Sequence, residues 1–300
     1  MGAEIKRAGQ RIGGSTIKPS VAMVLCYDSR FAFQVQENNP LFSYPDQFQK
    51  FYGAFHHHQV PVDIVEPTAD LSTYKLVIAP ALHIVPEAVA ENLEHFVRSG
   101  GILVLTPRSG VKDETNAVIN RRLPGLLAEL CGVEVDEYDS LPRDTSNTLE
   151  FTVPELTSSA PLSVKVWCDV LRSNGATVVA RYTRDYYAGK PAITLNELGQ
   201  PEGGRVVYIG TVGNVDLYQV LAGWLLDLAD VQPLLTAPEG VEVTERWDRD
   251  RRLLFVLNHT DQEQQIILDG HYKNLLNGSE GLEGTTAIAS LDVAVLLQDK

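Results

Sequence analysis

No run of apolar residues in this 300-residue chain is long enough to cross a bilayer; the longest, such as 20–26 and 101–105, fall far below the roughly 18 residues a membrane helix requires. The opening Met1-Gly2-Ala3-Glu4-Ile5-Lys6-Arg7 lacks the apolar centre of an export signal, so a cytoplasmic location is expected. Cysteine is scarce: Cys26, Cys131 and Cys168 are odd in number, widely spaced and set among apolar neighbours, which reads as reduced thiols. Clustered metal ligands are missing, and neither a metal nor another cofactor is expected. Positive charge is also short. Lys and Arg number 25 against 39 Asp and Glu, a formal charge of −14, which argues against nucleic acid and anionic membranes because both bind through basic patches. Another protein or a neutral small molecule is the expected partner.

What is present is an ordinary globular composition, 44% hydrophobic and 21% charged, in a chain long enough for two cores. Between 75 and 116 an apolar strand (76–79), a helix-length segment (87–98), a Gly100-Gly101 stop and a second apolar strand (102–105) follow one another. Strands apolar on every residue belong to a parallel sheet covered on two faces, and such sheets carry their working loops just after the strand ends. The loop to watch is therefore 106–116, which holds no Cys or His and no Ser with a base in view.

Elsewhere the spacing predicts a helix over 3–12, with Ile5, Ala8 and Ile12 on one face, then a strand at 21–26 and a polar loop at 27–43. A helix over 45–58 follows, with Phe48, Phe51, Tyr52 and Phe55 on its apolar side, then a short strand at 60–65. Another helix is expected over 121–131. After Gly132 the rhythm turns to alternation, with strands at 149–153, 163–170, 176–182, 191–197 and 205–209 and turns at 173–175 and 199–204. A helix over 214–230, a proline-containing linker at 233–240 and short strands at 241–247, 252–258, 264–268 and 293–297 complete the chain. The last sixty residues read as a small antiparallel sandwich.

Several constellations imitate chemistry. His56-His57-His58 could suggest a metal, yet consecutive helical residues point about 100° apart and cannot all hold one ion; a solvated helix C-terminus explains them. Asn196-Glu197 resembles the acid/base dipeptide of barrel glycosidases, but it precedes a Gly-rich turn and no second carboxylate is available to pair with it. Asp248-Arg249-Asp250-Arg251 reads as a solvated hairpin tip. Trp167, Trp224 and Trp247 are candidate sugar platforms, of which Trp224 falls on the apolar face of its helix.

The loops 27–33 and 108–116 both follow central strands and should lie side by side. There Arg30, Arg108 and Lys112 would gather near Asp28, Asp113 and Glu114, with Phe31, Phe33, Phe42 and Tyr44 among them. Two readings stand: a surface ion-pair network worth roughly 0–1 kcal/mol per pair, or a contact region for another subunit or domain, since interfaces are enriched in aromatics and Arg. The interface reading selects Arg30, Phe31, Phe33, Arg108, Lys112, Asp113 and Asn116.

The segment 22–39 with Tyr27-Asp28-Ser29-Arg30-Phe31-Ala32, the blocks 61–65 and 76–82, the long block from Gly100 to Asp113, and Tyr208-Ile209-Gly210-Thr211 resemble the C-terminal half of bacterial β-galactosidases of glycoside hydrolase family 42. The likeness runs from about residue 3 to residue 297. It implies an α/β fold: a flavodoxin-like domain related to class I glutamine amidotransferases, with antiparallel additions, followed by a small all-β domain. It also implies boundaries, with 1–14 the tail of a catalytic barrel's last helix, 15–235 a trimerisation domain and 236–300 the β domain. Partners implied are two further copies in a homotrimer and a catalytic barrel domain. In that family the two carboxylates that perform retaining hydrolysis of β-galactosides sit on a (β/α)8 barrel of about 250 residues. No such alternation occurs in these 300 residues, so no catalytic residue is assigned and a scaffold role is expected.

The competing enzyme reading is amidotransferase chemistry. It needs a Cys in a sharp turn after the 102–105 strand and a His after a late strand. The sequence offers Thr106-Pro107-Arg108-Ser109 and Gly210-Thr211-Val212-Gly213-Asn214 instead. A carbohydrate-binding module is the third reading.

Overall fold

The computed structural model describes residues 2–158, 162–199 and 203–299, and it divides into two compact units. The larger comprises Ser20–Ala54 and Val62–Val231; the smaller comprises the residues up to Pro19, Phe55–Pro61 and the chain from Gln232 onward. Helix α1 (Gly2–Ile12) therefore belongs with the C-terminal residues. The expected inward position of Ile5 lies outside the described side chains, as does part of the turn expected at 199–204.

In the larger unit, β1 (Val21–Val24), helix α2 (Tyr27–Val35), helix α3 (Tyr44–His57), β2 (Val62–Val65), β3 (Leu76–Ala79), helix α4 (Glu87–Arg98) and β4 (Ile102–Leu105) follow in order, α3 running past the unit's edge at Ala54. Strands β1, β3 and β4 are buried on every residue, as strands covered on both faces must be. Helix α4 presents Val89, Leu93, Phe96 and Val97 at three- and four-residue spacing to the core formed by Val77, Leu103 and Leu105.

The helix expected over 121–131 contracts to a 3-10 turn (Gly125–Leu127) and one turn of helix, α5 (Ala128–Cys131). Leu123 pairs with Val135 in an isolated bridge instead, and Pro124 and the left-handed Gly125 (φ 68°) interrupt any earlier helical turn. Strands β5 (Val133–Ser140), β6 (Asn147–Phe151), β7 (Leu162–Ser173), β8 (Thr177–Tyr182), β9 (Pro191–Glu197), β10 (Arg205–Ile209) and β11 (Thr211–Gly213) then precede helix α6 (Val215–Leu228), whose first turn is capped by the Asn214 side chain accepting from the Leu217 amide at 3.2 Å. All eleven strands form one sheet. Its parallel part runs β2-β1-β3-β4-β10, and its antiparallel part continues β9-β8-β6-β7-β11 with β5 added on β7.

The smaller unit holds β12 (Val241–Asp248), β13 (Arg251–Asn258), β14 (Gln264–Asn274), β15 (Leu282–Ile288) and β16 (Val293–Gln298), ordered β12-β13-β16-β14-β15 and antiparallel throughout. This is one sheet rather than the expected sandwich, because something other than a second sheet covers each face. Leu253, Val295 and Leu297 pack with Ala8 of α1. On the opposite side Leu254, Val256, Ile266 and Leu296 pack with Leu234 and Leu235. The segment expected as a linker is thus part of the core. Gln59 adds a clip, donating to the Val241 carbonyl at 2.8 Å and accepting from the Val243 amide at 2.9 Å.

The candidate site at the strand C-terminal edge

The chain leaves β1 at one side of the parallel sheet and returns to β3 on the other, so the crevice beyond the ends of β1, β3 and β4 is where an α/β sheet of this kind holds its ligands. Here that crevice is filled. Cys26 caps α2, its Sγ accepting from the Ser29 amide at 3.4 Å, while its own amide donates to the Tyr44 hydroxyl at 2.9 Å. Ser29 Oγ accepts from the Ile84 amide at 3.0 Å, and Thr106 Oγ1 accepts from the Ala81 amide at 2.7 Å. Ser109 Oγ donates to the Thr106 carbonyl at 2.8 Å. Each hydroxyl is engaged in holding backbone, and among the described residues none is hydrogen-bonded to a basic side chain.

Arg108 occupies the apex of the turn after β4, in the left-handed region at φ 72°. A non-glycine residue held there is strained, and in hydrolases of α/β type this is the position that presents a nucleophile. The guanidinium turns inward instead. It lies 4.6 Å from the Trp167 ring centroid and 5.9 Å from that of Phe33, and the Asn38 side-chain oxygen, oriented to satisfy both groups, accepts from its two terminal nitrogens at 2.6 and 3.0 Å. Tyr138 stacks on Trp167 at 4.6 Å between centroids. Asp169 completes the group, accepting from Trp167 Nε1 at 2.8 Å and from the Tyr208 hydroxyl at 2.9 Å. Burial raises its pKa to about 6 against the opposing pull of these two donors and of Arg108. His83 Nδ1 donates to the Arg108 carbonyl at 2.9 Å, and burial holds the imidazole neutral, its pKa lowered to about 4. The space left beside Arg108, Trp167 and Asp169 is a cavity of about 10 Å³, at the lower limit for a single water.

The residues expected to form an interface separate into two groups. Phe33, Arg108 and Lys112 are buried, at 7%, 7% and 4% exposed, and present little surface. Phe42 and Tyr44 are buried with them. Phe31 and Asn116 are exposed, whereas Arg30 and Asp113 are half-buried. The two stretches 27–33 and 108–116 do meet, with the Arg108 guanidinium 5.9 Å from the Phe33 ring centroid, while Lys112 Nζ donates to Gln36 Oε1, just beyond the first stretch, at 2.9 Å and to Asn116 Oδ1 at 2.8 Å. Among the described residues no ion pair joins Arg30, Arg108 or Lys112 to Asp28, Asp113 or Glu114. The basic groups are spent on aromatic rings and neutral acceptors. Asp169, Tyr208, His83 and Asn38 are not among the candidate site residues that the sequence offers; the one signal is an aspartate inside the otherwise apolar stretch 166–171.

Gly110 closes this turn with φ 64°, and a Cβ there would stand 2.2 Å from the Pro124 carbonyl oxygen. Gly110→Ala is expected to destabilise the larger unit by roughly 3 kcal/mol, combining left-handed strain with overpacking. Urea denaturation followed by tryptophan fluorescence measures it, and a loss below about 1 kcal/mol would show that the turn has room to move.

The remaining imitations of chemistry are equally occupied. Asn196 donates to the Leu130 carbonyl at 3.0 Å, and Glu197 accepts from Arg205 at 3.0 Å. Cys131 and Cys168 are buried thiols whose pKa values are pushed up by desolvation, that of Cys168 to about 11. Trp167 is 1% exposed, Trp224 is half-buried, and Lys18 Nζ lies 4.6 Å from the Trp247 ring centroid. No group of three or more His, Cys, Asp or Glu among the described residues could hold a metal ion.

Residues 19–232 match the family described as the β-galactosidase trimerisation domain, and residues 240–298 match the β-galactosidase C-terminal domain. The chain is 32% identical over 298 residues to β-galactosidase BgaP of Planococcus sp. (strain L4), covering 99% of this chain and 44% of that protein. It is 37% identical over 243 residues to β-galactosidase Bga of Halorubrum lacusprofundi, covering 79% and 34%. The crystal structure of the β-galactosidase from Bacillus circulans sp. alkalophilus superposes with a TM-score of 0.95 at 30% identity, over 99% of this chain and 44% of that one. The chain thus spans less than half the length of these relatives, and it belongs to the glycoside hydrolase family 42 β-galactosidases through their trimerisation and C-terminal domains.

Proposed function

We propose that these residues are the assembly part of a family 42 β-galactosidase, holding three copies together and leaving retaining hydrolysis of terminal β-galactosides to a barrel domain that bears the catalytic carboxylates. The match of residues 19–232 to a trimerisation domain carries this reading. The crevice beyond the parallel strands supports it, since the turn where a nucleophile would stand holds a buried arginine. We further read the larger unit as flavodoxin-like and related to class I amidotransferases. Its parallel order β2-β1-β3-β4-β10 has the 2-1-3-4-5 pattern of that class, and the sharp turn after β4 has the position of an amidotransferase elbow.

The 300-residue chain by itself is expected to form trimers by light scattering and to release no chromophore from a chromogenic β-galactoside. Measurable turnover would overturn the non-catalytic reading, and a monomeric mass at high concentration would overturn the assembly reading.

A further inference from the structure

Asn-Gly occurs at two places in the chain, Asn174-Gly175 between β7 and β8 and Asn277-Gly278 between β14 and β15. This dipeptide carries a chemistry of its own, because glycine puts no side chain in the way of its main-chain nitrogen. That nitrogen attacks the asparagine Cγ and closes a succinimide. The bond from Cγ to the side-chain nitrogen breaks, and the proton of the glycine N–H leaves with that nitrogen as ammonia. One water then opens the ring. Cleavage at Cγ gives aspartate, and cleavage at the main-chain carbonyl gives isoaspartate, in which the main chain runs through Cβ and Cγ.

Both pairs are exposed, and a Cβ on either glycine would meet nothing within 4 Å, so access and space do not tell them apart. Hydrogen bonding does. In the turn after β14 the attacking nitrogen is engaged, Gly278 N–H donating to the Asn274 carbonyl at 2.9 Å. The amide it would attack is engaged as well, Asn277 Oδ1 accepting from the Ser279 N–H at 2.9 Å. Asn274, itself buried, closes this turn from both ends, its N–H donating to the Ser279 carbonyl at 2.8 Å and its Oδ1 accepting from the Leu276 N–H at 2.9 Å. Bringing the Gly278 nitrogen onto Cγ must first break bonds on both reacting groups.

At the tip between β7 and β8 both reacting groups are free. Among the described residues nothing hydrogen-bonds to the Asn174 side chain or to the Gly175 N–H. The base of the tip is anchored instead: Asn174 N–H donates to the Gly132 carbonyl at 2.8 Å, and Ser173 Oγ donates to the Ala176 carbonyl at 2.6 Å. Gly175 nitrogen can therefore reach the Asn174 Cγ without either group giving up a hydrogen bond.

We propose that Asn174 is a site of spontaneous modification in the folded chain, converting to aspartate and isoaspartate, while the turn around Asn277 protects that residue. Each conversion adds a negative charge to a chain that already carries −14. It does so at the residue whose N–H holds the Gly132 carbonyl at the C-cap of α5.

The test incubates the full chain at mildly alkaline pH, with and without urea, and follows both sites by peptide mapping, mass spectrometry and labelling with an isoaspartyl methyltransferase. In the folded chain Asn174 is expected to convert roughly tenfold faster than Asn277, the ratio that about 1.4 kcal/mol of activation free energy produces. In urea the two are expected to convert at similar rates. Asn174→Gln is expected to abolish the first acidic species seen on anion exchange. Equal rates in the folded chain, or faster conversion at Asn277, overturn the proposal. So does a folded chain whose Asn174 stays intact over the time in which the urea-unfolded chain converts. A tenfold preference for Asn174 that persists in urea traces the selectivity to neighbouring residues and overturns protection by the turn. An Asn174→Gln variant that still yields the first acidic species places the change elsewhere and overturns the assignment.

Discussion

Arg108→Ala is expected to destabilise the larger unit by about 3–5 kcal/mol, the range for removing one member of a buried charged group. Arg108 is 7% exposed, its guanidinium lies near the rings of Trp167 and Phe33, and its charge partly opposes the burial that raises the pKa of Asp169. Truncation leaves a hole beside Trp167, deprives Asn38 of its two donors and removes the charge that opposes the desolvation of Asp169. Lysine keeps the charge but not the flat, forked shape, so Arg108→Lys is expected to forfeit roughly half as much. Arg143→Ala, at an exposed position, serves as the control and should stay within about 0.5 kcal/mol of the wild type. Urea unfolding read by tryptophan fluorescence reports on Trp167 directly. Equal losses for Arg108→Ala and Arg143→Ala would mean that the buried guanidinium contributes nothing.

The second large effect concerns acidity. Asp169 has a folded pKa of about 6 against an ordinary 3.8, so between these values the folded chain keeps a proton the unfolded chain has released, and stability falls as pH rises. His83 is the reverse. Its folded pKa of about 4 lies below the ordinary 6.5, the unfolded chain holds the extra proton, and stability rises with pH across that window. Each contribution is on the order of 3 kcal/mol, and the two are opposite in sign over nearly the same range. The wild type is therefore expected to show little net dependence from these groups between pH 4 and 6.5. Asp169→Asn should gain stability as pH rises through the window, and His83→Gln should lose it. The groups facing Asp169 are Trp167 Nε1, the Tyr208 hydroxyl and the Arg108 charge. Those facing His83 are the Arg108 carbonyl, the Arg108 and Lys112 charges and the Phe33 ring. Denaturation midpoints at half-unit pH steps measure the slopes. Parallel profiles for the three proteins would refute the assignment of opposing protons to this pair.

Unbroken apolar runs disclosed the parallel strands β1, β3 and β4, which are buried on every residue, and apolar residues at three- and four-residue spacing disclosed the helices α1, α3, α4 and α6. Helix α2 escaped for the opposite reason. Its outer side, with Tyr27, Phe31 and Val35 exposed, is as apolar as its inner side of Ser29, Ala32 and Phe33, so 27–35 shows no contrast, and Cys26 is not a residue that announces a helix start. Strand β15 was hidden by its position: at the edge of its sheet it leaves most side chains in water and includes Gly284, so little in it resembles a strand. Strand β5 alternates only over Val133 and Val135 before a bulge breaks the register. The inner cluster was the least legible part. Arg108, Asp169, Asn38 and His83 are brought together by four separate segments, and a charged residue in a loop reads as surface until the structure shows an aromatic wall beside it.

Helix α1 covers a sheet whose strands begin more than two hundred residues later, and Arg11 reaches Asp248 at 3.0 Å across 237 positions. All of the larger unit lies between the segments that build the smaller one. During synthesis the larger unit can close before β16 emerges, whereas the contact of Ala8 with Leu253, Val295 and Leu297 cannot form until then. The contact of α1 with that sheet is thus among the last to form, and its delay is set by translation of the intervening residues.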